Sequence, residues 1–179
     1  MIIRKAEARD LDAIESIYNK IFSKEEESGK VTTGWERGIY PRRETAEAAL
    51  KREDMFVIED DGAFVGAGII NKEQVDVYAK AKWKYSAEDS EVMVLHTLVI
   101  DPDKSGRGYG KRFVDFYEDY AREKGCKYLR MDTNEKNKAA RSLYTKLGFN
   151  EIDCLPCVFN GLEGVNLILF EKKLKFIKL

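Results

Sequence analysis

The sequence predicts an α/β (α+β) fold built on a mixed sheet, and three observations predict it. Apolar strand-like runs alternate with amphipathic helical ones, the composition is globular, and no internal repeat or compositional break divides the chain. Residues 1–179 are therefore expected to form a single domain. With 44% hydrophobic residues, 35% charged residues and only three prolines, the profile excludes collagen, low-complexity disorder and a disulfide-stapled secreted scaffold.

Ile2–Ala6 reads as an opening strand, and Asp10 is placed to cap a helix carrying Leu11, Ile14, Ile17, Tyr18 and Ile21 on one face. From Ser23 to Arg43 the periodicity breaks around Glu25, Glu26, Glu27, Trp35, Tyr40 and Pro41. That segment is expected to be a long loop, or a broken helix and then a loop, of the length that tends to be functional or mobile. Thr45–Glu53 is rich in helix formers. Met55–Glu59 and Ala63–Ile70 are strands joined by an Asp61-Gly62 hairpin signal. Val75–Tyr85 reads as a helix followed by a loop. Val92–Ile100 is the strongest strand. Tyr109–Lys124 is an amphipathic helix burying Phe113, Phe116, Tyr117 and Tyr120, stopped by Gly125. Tyr128–Asp132 is a strand, Asn137 caps a helix that ends at Leu147, and Phe149–Cys154 and Val165–Lys173 close the chain as strands.

Charge and cysteine content narrow the function classes. Thirty-one basic residues against 32 acidic ones give a formal net charge of -1, which argues against a dedicated nucleic-acid binder. The longest apolar run, Val92–Ile100, is much too short to span a bilayer, and the N-terminus develops no apolar signal core. A cytoplasmic protein without membrane association is expected. Cys126, Cys154 and Cys157 are too few for a disulfide framework, and with His96 the only histidine they supply no zinc set, so inert thiols and no metal are expected.

The chemistry concentrates between Val94 and Phe113. The buried strand ends at Asp101-Pro102, and a loop with Gly106, Gly108 and Gly110 opens directly into a helix. Glycines allow close backbone approach, and a helix start offers unpaired N–H groups with positive dipole character. Together they suit a phosphate or pyrophosphate; Lys104, Arg107, Lys111 and Arg112 add cations. A Walker A loop is absent because Arg112 follows Lys111 where Ser or Thr is needed, and the G-x-G-x-G spacing does not match the Rossmann pattern. A tight turn with a solvated basic helix end is the bland alternative.

Ser105-Gly106-Arg107-Gly108-Tyr109-Gly110 closely resembles the acetyl-CoA signature of the GNAT N-acetyltransferase superfamily, with Ser105 where Gln or Arg is usual. Asn137-Lys-Ala-Ala-Arg-Ser-Leu-Tyr144-Thr-Lys-Leu-Gly148-Phe149 resembles that family's second block. The resemblance implies a mostly antiparallel central sheet flanked by helices, acetyl-CoA as cosubstrate, and acetyl transfer to a primary amine of a small molecule or peptide by direct attack in a ternary complex. It further implies that Leu98, Val99 and Ile100 pair with the pantetheine arm and that Lys104 through Arg112, with Asn137 and Tyr144, contact the cofactor. Tyr144 is implied as the acid that protonates the departing thiolate.

His96 is the candidate base, since an imidazole titrates near neutrality, on a strand face read as shared with Val94 and Leu98. Glu91, Glu73 and Asp76 are carboxylate substitutes. Trp35, Tyr40, Tyr78 and Trp83 fall in segments implied to wall the acceptor cleft, and Glu25, Glu26 and Glu27 are either an amine attractor or a solvated face. A non-catalytic acyl-CoA-binding regulatory module and a transferase of longer acyl groups are the alternative readings. The basic tail from Lys172 to Lys178 is either the end of the last strand or a homodimer contact.

Overall fold

A computed structural model describes residues 1–176 of the chain. Its elements are β1 (Ile2–Lys5), α1 (Leu11–Ser28), α2 (Arg43–Lys51), β2 (Met55–Asp60), β3 (Ala63–Asn71), β4 (Val92–Ile100), α3 (Tyr109–Glu123), β5 (Tyr128–Asn134), α4 (Lys138–Lys146), β6 (Asn150–Phe159) and β7 (Leu162–Lys173). The strands form one seven-stranded sheet in the order β1-β2-β3-β4-β5-β7-β6. Only β4 and β5 pair in parallel; every other neighbouring pair is antiparallel.

Period-two alternation explains the layers. In β2, Phe56 and Ile58 join the core beneath α3 and α4, whereas Met55 and Val57 face α1 and α2. In β5, Leu129 and Met131 belong to the first core. Arg130 and Asp132 therefore point to the opposite face, where the β3–β4 connection covers the sheet.

Two expectations change. First, α1 continues to Ser28 through the glutamate run, because Lys and Glu are good helix formers, and it stops where Gly29 adopts φ 65°. The lost apolar periodicity marks exposed final turns, not a break. Second, Val75–Tyr85 holds only a short 3-10 turn at Asp76–Lys80. The last two strands are longer than expected, and Cys154 and Cys157 lie within β6. Of the basic tail, Lys178 lies outside the described residues.

The β4 strand carries an irregularity that matters for the site. Ala67 pairs with Val99 and Ile69 with His96, so three steps along β4 oppose two along β3. Thr97, at φ 48°, is in the bulge that absorbs the extra residue. The bulge reverses the side-chain alternation. His96 stays on the Val92 and Val94 side, while Leu98 packs into the α3 core with Met93 and Leu95. The expected sharing of a face by His96 and Leu98 is thereby corrected.

Candidate active site

The β4–β5 pairing runs only from Val92–Tyr128 to Leu95–Met131. Beyond it the two strands part and leave a fork. A cavity of about 140 Å³ fills the fork, lined among others by Thr97, Leu98, Asp132, Asn134, Asn137 and Tyr144. Val99 and Ile100 line it as well, so the backbone edge from Thr97 to Ile100 faces a space with no strand partner on the β5 side among the described residues. Such an edge has hydrogen-bonding groups to offer.

The glycine loop stands at the end of β4. Gly106 and Gly108 adopt φ +80° and +81°, with nothing within 4 Å of where a Cβ would sit. Gly108 is the N-cap of α3, so the first-turn amides of α3 lie behind an uncovered loop. The flanking side chains are less available than the sequence suggests. Lys104 Nζ donates to the Phe64 carbonyl at 3.0 Å, Lys111 pairs with Asp115 at 2.6 Å, and the buried Tyr109 donates its hydroxyl to Asp60 at 2.7 Å. The Arg112 guanidinium turns toward the Met1 sulfur. Arg107 is exposed and forms no ion pair among the described residues. Asn137 caps α4 by accepting from the Ala140 amide at 3.1 Å while also lining the fork.

Two ionisable side chains, both shifted upward by burial, line the fork. Asp132 accepts a hydrogen bond from the Tyr78 hydroxyl at 2.7 Å. Burial raises its pKa from 3.8 to about 6, with the Tyr78 bond pulling the other way. Tyr144, 7% exposed, is held well above the ordinary tyrosine range by burial and by the nearby Asp132 charge, so it stays a proton donor at neutral pH. Tyr144 lines the cavity.

Tyr78 reaches Asp132 because a buried network pins the β3–β4 connection. Arg130 and Glu171 form an ion pair at 3.1 Å, and Glu171 also accepts the Lys84 and Tyr85 amides at 3.0 and 3.2 Å. The Arg130 guanidinium stacks 4.0 Å over Trp83, whose indole N–H donates to the Tyr78 carbonyl at 2.9 Å. Trp83 thus supports Tyr78 from behind and lines neither cavity described here. Sequence reasoning passed over Asp132 as the end of a strand. Its signal was the charged pair Arg130 and Asp132 alternating with Leu129 and Met131.

His96 faces a different space, a cavity of about 550 Å³ on the other side of Tyr40 and Phe159. The imidazole Nε2 meets Asn71 Oδ1 at 2.9 Å, Asn71 donates to Asp54 at 2.9 Å, and Asp54 is paired with Arg52 at 2.8 Å. Asn71 Oδ1 also accepts the Glu73 amide. Because the Asn71 oxygen is an acceptor in both bonds, His96 carries its proton on Nε2. Burial pushes its pKa down from 6.5 to about 4, which leaves it neutral and a feeble proton acceptor. Glu73 is at the rim of this cavity. Glu91 is tied to Lys127 at 2.5 Å, and neither Glu91 nor Asp76 lines either cavity.

Trp35 and Tyr40 line the fork from the α1–α2 loop. The glutamate run explains why that loop is ordered. The Glu25 carboxylate accepts the amides of Thr32 and Thr33, both at 2.8 Å, and Glu26 pairs with Arg37 at 2.9 Å. These two acids hold the loop in place. No group of three or more metal-ligating side chains occurs among the described residues, and no helix there is long and apolar enough to cross a membrane.

The fork and the glycine-rich start of α3 both fall within a segment that matches one family. The chain belongs to the acetyltransferase (GNAT) family, which it matches over residues 11–149. An uncharacterized N-acetyltransferase of Bacillus subtilis is 26% identical over 84% of this chain and 91% of its own. Another, from Methanocaldococcus jannaschii, is 27% identical over 83% of this chain, which spans only 60% of that protein's length. Solved structures share the fold. A GNAT-family acetyltransferase from Streptococcus agalactiae superposes with a TM-score of 0.80 at 21% identity, covering 98% of this chain and 96% of that one. A Salmonella typhimurium acetyltransferase solved with its cofactor acetyl-CoA gives 0.71 at 19% identity, covering 100% and 96%.

Proposed function

We propose that this chain is a single-domain N-acetyltransferase that moves the acetyl group of acetyl-CoA to a primary amine by direct attack, both substrates being bound together. The fork carries the reading: one ionised carboxylate and one unionised tyrosine flank an unpaired backbone edge that leads to an uncovered helix start. The start of α3 behind the open loop of Gly106 and Gly108 fits a pyrophosphate, and the edge from Thr97 to Ile100 fits an amide-bearing arm. Relatives named for acetylating thialysine or the alanine of ribosomal protein bS18 match about 42% and 33% of the chain, in keeping with an amine acceptor.

Acetyl-CoA supplies an activated thioester to this site. Backbone N–H groups near Leu98 and Val99 donate to the carbonyl oxygen as negative charge grows on it. The acceptor attacks as the neutral amine, its ammonium proton having gone to solvent, and loses one further proton as its nitrogen bonds to carbon; the Asp132 carboxylate, mostly ionised at pH 7, receives that proton. When the carbon–sulfur bond breaks, the Tyr144 hydroxyl gives a proton to the thiolate. His96, neutral and with Nε2–H bound to Asn71, lines the acceptor side and does not serve as the base. Initial rates measured with both substrates varied test the order of events: lines intersecting left of the axis fit attack in a ternary complex, and parallel lines would mean a covalent acetyl-enzyme instead.

A further inference from the structure

The 550 Å³ cavity and the 140 Å³ fork share two wall residues, Tyr40 and Phe159. These rings stand between the space with room for an acceptor and the space that fits the thioester. Tyr40 is fixed on several sides. Its ring meets Trp35 edge-on at 6.0 Å and Phe159 edge-on at 5.4 Å, and its hydroxyl bonds the Thr97 hydroxyl at the β4 bulge. Only 8% of it is exposed.

The loop behind it is pinned as well. Glu25 and Arg37 hold it to α1, and Gly34 lies so close to Asn134 that a Cβ would come within 2.2 Å of the amide nitrogen. The two spaces are unequal, so the body of an acceptor has room on the His96 side. Only its reacting nitrogen and the atoms next to it have to pass the rings.

We propose that Tyr40, with Phe159, sets the acceptor class. An amine on an unbranched methylene stem, as at the end of a lysine side chain, reaches the fork, and an amine on a branched carbon, as at a peptide N-terminus, is turned away. The inference rests on the acetyl-transfer reading above. The lining of the larger cavity is consistent with a mixed-charge body, since Arg42 and Arg52 stand there with Glu44 and Glu73.

Two isomers of one composition make the test, Nα-acetyl-lysine amide and Nε-acetyl-lysine amide, which differ only in which amine is free. Wild-type enzyme should favour the free ε-amine by about tenfold or more in kcat/KM, the size of discrimination that one misplaced carbon brings in a close-fitting pocket. Tyr40→Ala, which merges the two spaces, should cut that ratio roughly fivefold or more, and Phe159→Leu should move it in the same direction. Tyr40→Phe keeps the ring and should keep the ratio.

A merely structural role lowers both kcat/KM values together and leaves their ratio alone. If Tyr40→Ala is unfolded by circular dichroism, Phe159→Leu carries the test. A wild-type preference for the α-amine, an unchanged ratio in folded variants, or no turnover of either isomer by enzyme that binds acetyl-CoA overturns the proposal. Failure to bind acetyl-CoA at all overturns the reading beneath it.

Discussion

Replacing Asp132 by asparagine separates the chemistry of the fork from its shape. Asparagine keeps an oxygen for the Tyr78 hydroxyl, bonded at 2.7 Å in the native protein, but cannot accept a proton. With a pKa pushed up to about 6, the native carboxylate is ~90% ionised at pH 7 and ~10% at pH 5. Wild-type kcat/KM should therefore fall about tenfold per pH unit below 6, while the residual rate of Asp132→Asn, lower by roughly 10²–10⁴-fold, should lack that limb.

Stability should move the opposite way. An unfolded aspartate ionises near 3.8 and the folded one near 6, so above pH 6 the folded state bears the full cost of ionisation, and that cost is relieved as pH falls from 6 toward 4. The difference corresponds to at most about 3 kcal/mol, so Asp132→Asn should melt up to about 10 °C higher at pH 8. Rates from a thiol-detecting assay and calorimetric melting at pH 5 and 8 read both quantities. A variant that keeps wild-type rate and the same acid limb would refute Asp132 as the base.

Tyr144→Phe should lower kcat by about 10²-fold or more with little change in acetyl-CoA affinity, read by stopped thiol release and calorimetry. His96→Gln should hold kcat/KM within about threefold from pH 6.5 to 8, because the imidazole, with its pKa pushed down to about 4, is already neutral there; a lost basic or neutral limb would restore it as the base. The same variant should resist acid better: unfolded histidine takes up a proton near 6.5, so wild type loses stability as pH drops from there toward 4. Since this loss overlaps the gain from Asp132, melting curves of each variant are compared with wild type at each pH. Glu171→Gln leaves Arg130, paired at 3.1 Å in the native chain, without its counter-charge, and should cost about 3–5 kcal/mol, seen as a Tm lower by about 10 °C or more.

Much of the fold and the glycine loop of the candidate site were legible because they rest on local signals. Gly106 and Gly108 reveal a backbone that needs positive φ, and Asn137 and Gly148 bracket α4 with cap residues. The acceptor half depends on contacts between residues distant in sequence, which periodicity does not encode. Asp132 gains its raised pKa from burial, its hydrogen-bond partner Tyr78 lies 54 positions away, and Tyr78 is held by a network built on Arg130 and Glu171. The Thr97 bulge has no glycine to announce it, so the alternation through His96 to Leu98 read as continuous. Glu25 and Glu26 looked like free charge until the loop they hold was in view.

The most direct measurement is thermal melting with acetyl-CoA, CoA, ATP and NAD in separate titrations. Acetyl-CoA at about 100 times its Kd stabilises by roughly 2.7 kcal/mol, which should raise Tm by about 5–10 °C, with CoA acting alike and ATP and NAD giving little. No response to millimolar acetyl-CoA in folded protein, or an equal response to NAD, would contradict the assignment of the fork and the glycine loop to acetyl-CoA.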